Sequence, residues 1–125
     1  MIRLTGQQVL AIHSRMIKMT GGPDGVRDES LLDSALNAPF QTFDGKELYP
    51  ALLSKAAVMC RSIIANHPFV DGNKRTGIHV MLIFLELNCI ELQYTQNELI
   101  ELGLGIASGQ LNYDGILNWL VKHAN

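Results

Sequence analysis

Several features that would assign this 125-residue chain quickly are missing from it. It has two cysteines, Cys60 and Cys89, and no C-x-x-C pair, so a zinc site is not expected. Each cysteine stands among apolar residues (VMCRSII and LNCIEL), which reads as two buried free thiols in a reducing compartment. Basic residues are not in excess: ten Lys and Arg face twelve Asp and Glu, a formal net charge of −2. A protein built to bind phosphate backbones needs a basic face, so direct nucleic-acid binding is not expected. No long apolar run is present. The longest candidate, residues 78–87, is interrupted by His79 and Glu86 and is too short to span a bilayer. The opening MIRLTGQQVL has no apolar core behind a basic segment, so it does not read as a secretory signal. Repeats, low-complexity tracts and linkers are also missing. The expectation is one soluble cytoplasmic domain over residues 1–125 with no membrane partner, of ordinary globular balance at 47% apolar and 18% charged residues.

What the chain does have is helical punctuation. Thr5 with Gln8 has the form of a capping box, Val9, Leu10, Ile12, Met16 and Ile17 follow at helical spacing, and Gly21-Gly22 closes that helix. A second helix is predicted to open at Asp28, with Leu31, Leu32, Ala35 and Leu36 before Pro39. Between Pro39 and Pro50, Asp44-Gly45 separates short strand-compatible pieces, a hairpin or flap signal. Pro50 suits the first turn of a third helix, ALLSKAAVMCRSIIAN, which is apolar on most of its circumference and therefore central. Pro68 biases His67 away from helical angles. A fourth apolar helix follows from about Gly72 to Asn88, Thr95 with Glu98 caps a fifth, and Asn112 caps a last one. Strand patterning is weak outside the flap. The fold class is all-α: a compact bundle of about six helices with a short hairpin before the third. Trp119, Leu117 and Leu120 read as core, and His13 and His123 as structural or solvated.

The stretch HPFVDGNKRTG sits in the break between the two central helices, at the N-terminus of the second. Such an end offers unpaired N–H groups and a partial positive charge, an anion site. Gly72 allows close approach, and Asn73, Lys74 and Arg75 add donors at the same pole. Asp71 is a hard oxygen ligand beside them, the way Mg²⁺ is held by one carboxylate plus substrate phosphates. His67 is a histidine placed to take a proton from an incoming hydroxyl. Base, metal ligand and anion clamp together suit transfer from a nucleotide to a hydroxyl. Taken singly, each has a plainer reading: Asp71 as a helix N-cap, Lys74 and Arg75 as solvated charges, His67 as a helix-end polar residue. His79, four residues after Arg75, shares its helical face, where it touches the nucleotide, orients Arg75 or packs as an interior histidine. Gln41, Thr42 and Phe43 form an extended edge that suits a target peptide by strand addition, or a loop whose Phe40 and Phe43 pack on the core.

These residues carry a resemblance. His67, Phe69, Asp71, Gly72, Asn73, Lys74 and Arg75 fit the signature H-x-F-x-(D/E)-(A/G)-N-(G/K)-R of the Fic/Doc superfamily, and GVRDESLLDSALNAPFQTF resembles the corresponding segment of death-on-curing (Doc) toxins. Fic-type nucleotidyl transferases resemble H-P-F-x-(D/E)-G-N-G-R-x-x-R. Here Lys74 stands for the glycine and Ile78 for the second arginine, both departures toward the Doc branch. The resemblance implies a single Fic/Doc (Fido) domain with ATP as substrate and Mg²⁺ as cofactor. In it His67 is the base, Asp71 the metal ligand, and Asn73, Lys74 and Arg75 the phosphate contacts. It further implies a toxin of a type II toxin–antitoxin module. Such a toxin moves the γ-phosphoryl group of ATP to a Ser or Thr hydroxyl of elongation factor Tu, inhibits translation and is restrained by a Phd-like antitoxin. The chain has no Glu-Gly or Glu-Asn dipeptide, so the inhibitory (S/T)-x-x-x-E-(G/N) helix of many Fic enzymes is excluded as that motif is usually written. Two alternatives stay open: a nucleotidyl transferase that attaches AMP to a protein hydroxyl, and a catalytically idle antitoxin-binding module.

Overall fold

The computed structural model describes residues 1–124. Helix α1 (Gly6–Thr20) opens on the expected capping box: the Thr5 hydroxyl accepts from Gln8 N at 3.2 Å, and Gln8 Oε1 accepts from Thr5 N at 2.9 Å. It buries Val9, His13 and Ile17, four residues apart, and stops at Gly21. Helix α2 (Glu29–Asn37) is capped by Asp28, whose carboxylate accepts from Ser30 N and Leu31 N; it buries Leu32, Ala35 and Leu36. A single 3₁₀ turn at Ala38–Phe40 leads into the two-stranded antiparallel flap, β1 (Thr42–Phe43) and β2 (Lys46–Glu47). Asp44 and Gly45 both have positive φ, 52° and 76°, as a tight two-residue hairpin turn requires.

Helices α3 (Leu52–Asn66) and α4 (Asn73–Leu87) are the central pair and make the most extensive packing in the molecule. Helix α3 also meets α2 and α6 (Tyr113–His123), while α4 meets α1 and α5 (Gln96–Ala107). Their close approach depends on Gly77. A Cβ there would stand 3.1 Å from the Cys60 carbonyl oxygen and 3.0 Å from Ile64 Cγ1, so a larger residue would push the pair apart. Ile63, Phe69, Met81, Phe84, Leu85 and Leu120 are fully enclosed in the resulting core. Leu117 and Trp119 pack against it half-buried, so all three C-terminal apolar residues are core as expected. The α5 and α6 caps, Thr95 with Glu98 and Asn112, are also as expected. Among the described residues, no helix is long and apolar enough to cross a membrane.

Three expectations are corrected. Pro50 does not enter the first turn of α3; the helix begins at Leu52 behind Ala51, and the Tyr49 carbonyl is taken by Lys55 Nζ, which holds that segment out of the helix. Cys60 is buried, and burial pushes its thiol up to about 12, but Cys89 is exposed. Cys89 follows the C-cap of α4 with φ 63°, a left-handed turn that carries it out of the apolar stripe its neighbours suggest. The two phenylalanines of the flap segment also part company. Phe40 packs edge-on against Phe84 at 6.4 Å, whereas Phe43 is 75% exposed.

Lys55 is the exception within the apolar α3. Its side chain is fully buried, and its ammonium donates to Glu47 Oε1 at 2.9 Å and to the Tyr49 carbonyl. One end of the flap is therefore tied to the central helix by a buried cation.

Candidate active site

The site is built on the turn between the two central helices. Helix α3 ends at Asn66, and His67 takes a left-handed conformation, φ 53° and ψ 54°. Pro68 does exclude His67 from the helix, but the backbone goes to the left-handed region rather than the extended one. A non-glycine residue there costs about 1–2 kcal/mol and needs holding. His67 N–H donates to Ile63 O at 3.1 Å, and its carbonyl accepts from Arg27 Nε at 2.7 Å. Arg27 Nη2 also donates to Asn66 O at 2.9 Å, so one guanidinium caps the C-terminal carbonyls of α3, where a cation is also favoured by the helix dipole. The main chain beside it joins in: Arg27 N and Asp28 N donate to Pro68 O, and Val70 N donates to Gly25 O. With its backbone fixed, His67 presents an exposed imidazole.

Beyond Pro68 the chain enters the core at Phe69 and returns to the surface at Val70. Asn73 fixes this loop. Its Oδ1 accepts from Phe69 N at 2.9 Å and its Nδ2 donates to Phe69 O at 3.0 Å, in a side chain that is buried. The expected phosphate contact of Asn73 is thereby narrowed to its main-chain N–H, because the side chain is committed to the loop. Asp71 is not the helix cap. That position belongs to Gly72, φ 81°, and no side chain caps α4. The first N–H groups of α4 therefore point outward without a protein side-chain acceptor.

The Asp71 carboxylate is half-exposed, with Oδ2 3.6 Å from Arg75 Nη2. Gly22 presses on its other side: at φ 108°, a Cβ there would collide with Asp71 Oδ2. Arg75 Nη1 donates to the Thr20 hydroxyl at 2.5 Å, and Lys74 Nζ reaches Ala107 O of α5 at 3.4 Å. The loop main chain is held from below by His13, whose Nε2–H donates to the Asp71 carbonyl at 2.8 Å.

His67, Asp71, Gly72, Asn73, Lys74 and Arg75 line one groove of about 560 Å³, whose apolar wall includes Ile78 of α4 and Ile100 and Leu104 of α5. That volume suits a small-molecule ligand. A larger groove, about 850 Å³, is lined by Glu86, Cys89, Glu91 and Tyr94 among others, and none of its described lining residues is Lys or Arg. Its carboxylates repel phosphate, so the smaller groove is the candidate site. His79 is not among the lining residues and is exposed, which corrects the reading of an interior histidine. Gln41, Thr42 and Phe43 are exposed and also lie outside the groove lining.

Among the described residues, no three His, Cys, Asp or Glu side chains gather into a metal cluster. Asp71 is a single hard ligand beside an anion pole, a donor set that fits Mg²⁺ arriving with phosphates rather than a resident ion in a protein cage.

The supports that sequence reasoning missed are Arg27, Thr20 and Lys55, while His13, read as structural or solvated, is buried and structural. His13 had left a signal, a polar residue on the Val9–His13–Ile17 buried stripe of α1. Arg27 sits one residue before a helix cap and had none.

Toxin Doc of Mycolicibacterium smegmatis is 44% identical over 72 residues, 58% of this chain and 55% of that protein, so the match spans about half the length of that relative. Protein kinase doc of Escherichia phage P1 is 25% identical over 120 residues, 96% of this chain and 94% of that protein. The Fic/DOC family matches residues 3–85, more than half the chain and the whole of the site on α1, α3 and α4. The helical fold, the signature turn and these matches agree: the chain belongs to the Fic/DOC family, on its Doc branch.

Proposed function

We propose that this protein is the toxin of a type II toxin–antitoxin pair that acts in the cytoplasm. It transfers the γ-phosphoryl group of ATP to a Ser or Thr hydroxyl of a protein and so inhibits translation. Elongation factor Tu is the target and a Phd-like protein the antitoxin, both by family resemblance. The observation that carries the reading is the meeting, at one groove, of an exposed histidine on a rigid left-handed turn with the uncapped N-terminus of α4, two cations and one carboxylate.

The step divides among these groups. The imidazole of His67 takes the hydroxyl proton as the oxygen attacks the γ-phosphorus; the bond from that phosphorus to the β-phosphate oxygen breaks and ADP leaves. Negative charge growing on the leaving oxygen is met by the α4 N–H groups, Lys74 and Arg75. Mg²⁺ held between Asp71 and the phosphates would neutralise part of the triphosphate charge. Arg75 is already steadied by Thr20, so it needs little rearrangement to meet phosphate.

Two features favour the γ- over the α-phosphorus. Lys74 crosses toward Ala107 and fills space that a glycine would leave open at the phosphate pole. A relative matched along nearly its whole length bears the name of a protein kinase. The flap supplies the protein substrate's site: among the described residues β1 pairs only with β2, so the other edge of Gln41, Thr42 and Phe43 can add a strand.

The test uses full-length protein, Mg²⁺ and a bacterial translation extract, with ATP labelled at the γ- or the α-phosphate and His67→Ala as control. Label reaching a protein from the γ position, and lost in the variant, is expected. Label from the α position makes the chain a nucleotidyl transferase. Label from neither, with growth arrest untouched by His67→Ala, makes it an antitoxin-binding module.

A further inference from the structure

We infer that His13 is a positioning residue for the site, holding the motif loop so that the Asp71 carboxylate faces the N-terminus of α4. The inference rests on the proposed function only in taking the cation that Asp71 meets to be the one that arrives with ATP.

His13 lies on α1, 58 residues from Asp71, and only 1% of it is exposed. Its ring stacks on the motif phenylalanine, Phe69, with centroids 3.8 Å apart and planes within 7°. Its Nε2 lies 2.8 Å from the Asp71 carbonyl oxygen, and that oxygen can only accept, so Nε2 carries the hydrogen. On the other side, Nδ1 lies 3.4 Å from Asp24 Oδ1, which also accepts from the Ser14 hydroxyl at 3.2 Å. One side chain therefore grips the loop on both sides of the exposed Val70, by stacking at Phe69 and by hydrogen bonding at Asp71. Only Val70 lies between.

This grip is directed at function rather than at the core alone. The stack alone would fill the core, as a phenylalanine could; the hydrogen bond adds a hold on the Asp71 main chain. The bond fixes the Asp71 main chain, and with it the origin of a carboxylate that is otherwise only flanked by Gly22 and Arg75. Supports that orient a metal ligand through a second hydrogen bond commonly alter metal affinity by about 10–100-fold when removed.

Three variants of the full chain separate the roles. His13→Phe keeps the stack and removes the donor. His13→Gln places an amide nitrogen where Nε2 was, and His13→Asn reaches only as far as Nδ1. Each is measured by thermal melting, by calorimetric binding of ATP with Mg²⁺ and with EDTA, and by the ¹⁵N shift of the Gly72 amide. Expected are folded variants in which His13→Phe and His13→Asn bind Mg·ATP about tenfold more weakly. Metal-free ATP binding should change less than about twofold, and His13→Gln should return Mg·ATP binding to within about threefold of wild type.

The Gly72 shift should move in Phe and Asn and return in Gln. Folded Phe and Asn variants that match wild type in Mg·ATP binding overturn the inference, as does an equal loss with and without metal. Should His13→Phe unfold, Gln against Asn decides alone. Wild-type protein that binds no ATP at all overturns the proposed function instead. The Gly72 shift then judges the inference by itself: unmoved in Asn, it fails.

Discussion

Arg27 and His67 are forty residues apart in the chain and meet through a 2.7 Å hydrogen bond from Nε to the His67 carbonyl. The same guanidinium bonds Asn66 O, so the last two carbonyls before the site are satisfied by a residue of the loop between α1 and α2. The consequence is mechanical. The imidazole can stand in solvent and still be fixed, because the backbone beneath it is held.

Arg27→Met should therefore loosen the site more than the fold. Two charge-assisted bonds are lost at a helix end that water can partly re-satisfy, so urea unfolding should show a loss of about 1–2 kcal/mol. Phosphoryl transfer should fall by at least about tenfold. Arg27→Lys, a point charge without the fork, should recover part of the stability and little of the activity.

His67→Gly should separate stability from activity. Glycine adopts the left-handed conformation freely, so this variant should unfold at higher urea than His67→Ala, by about 1 kcal/mol. Both should be inactive in label transfer. Equal stability of the two would mean that the turn is not strained.

Lys55→Met tests the tie beneath the flap. Glu47 is half-exposed and returns to water when the ammonium is removed, and methionine fills much the same volume. The Tyr49 carbonyl also loses its donor, so global stability should fall by about 1–2 kcal/mol. The flap loses its anchor, so amides of residues 42–47 should exchange faster. The KM for the protein substrate should rise while nucleotide binding stays unchanged. A rise in both would place the effect in the helix rather than the flap.

Asp28 sets an acid limit on stability. Hydrogen bonds from the Ser30 hydroxyl and the Leu31 amide, foremost among its contacts, hold its carboxyl below the usual 3.8. A carboxylate with a depressed folded value stabilises the fold above its unfolded value, and that contribution is lost as pH falls through the folded one. Asp28→Asn keeps a capping side chain but cannot titrate. The stability difference between wild type and Asp28→Asn should be constant from about pH 7 to pH 5, shrink below about pH 4, and stop changing once Asp28 is fully protonated. Urea titrations across that range check it.

Most of the fold was legible because its signals are local. Thr5 with Gln8, Asp28, Thr95 with Glu98 and Asn112 each cap the helix they announce, since capping needs only residues within one turn. Asp44-Gly45 announced the hairpin for the same reason. Local reading failed at two points where a side chain or a turn acted against the apolar pattern. Tyr49, bonded by Lys55, kept Pro50 out of α3, and a left-handed turn after α4 exposed Cys89.

The site divides along the same line. His67, Asp71, Gly72, Lys74 and Arg75 lie within one nine-residue stretch, so their grouping at the break between α3 and α4 was legible in the sequence alone. Tertiary structure decided which of their atoms stay free. Asn73 turned inward to Phe69, and His79 stands exposed outside the groove lining. Arg27, His13 and Thr20, from 40 to 58 residues away, took up the His67 carbonyl, the Asp71 carbonyl and the Arg75 guanidinium. The physical reason is range. Periodicity and capping act over a few residues, whereas the supports of a turn come from whichever helices the core packs beside it.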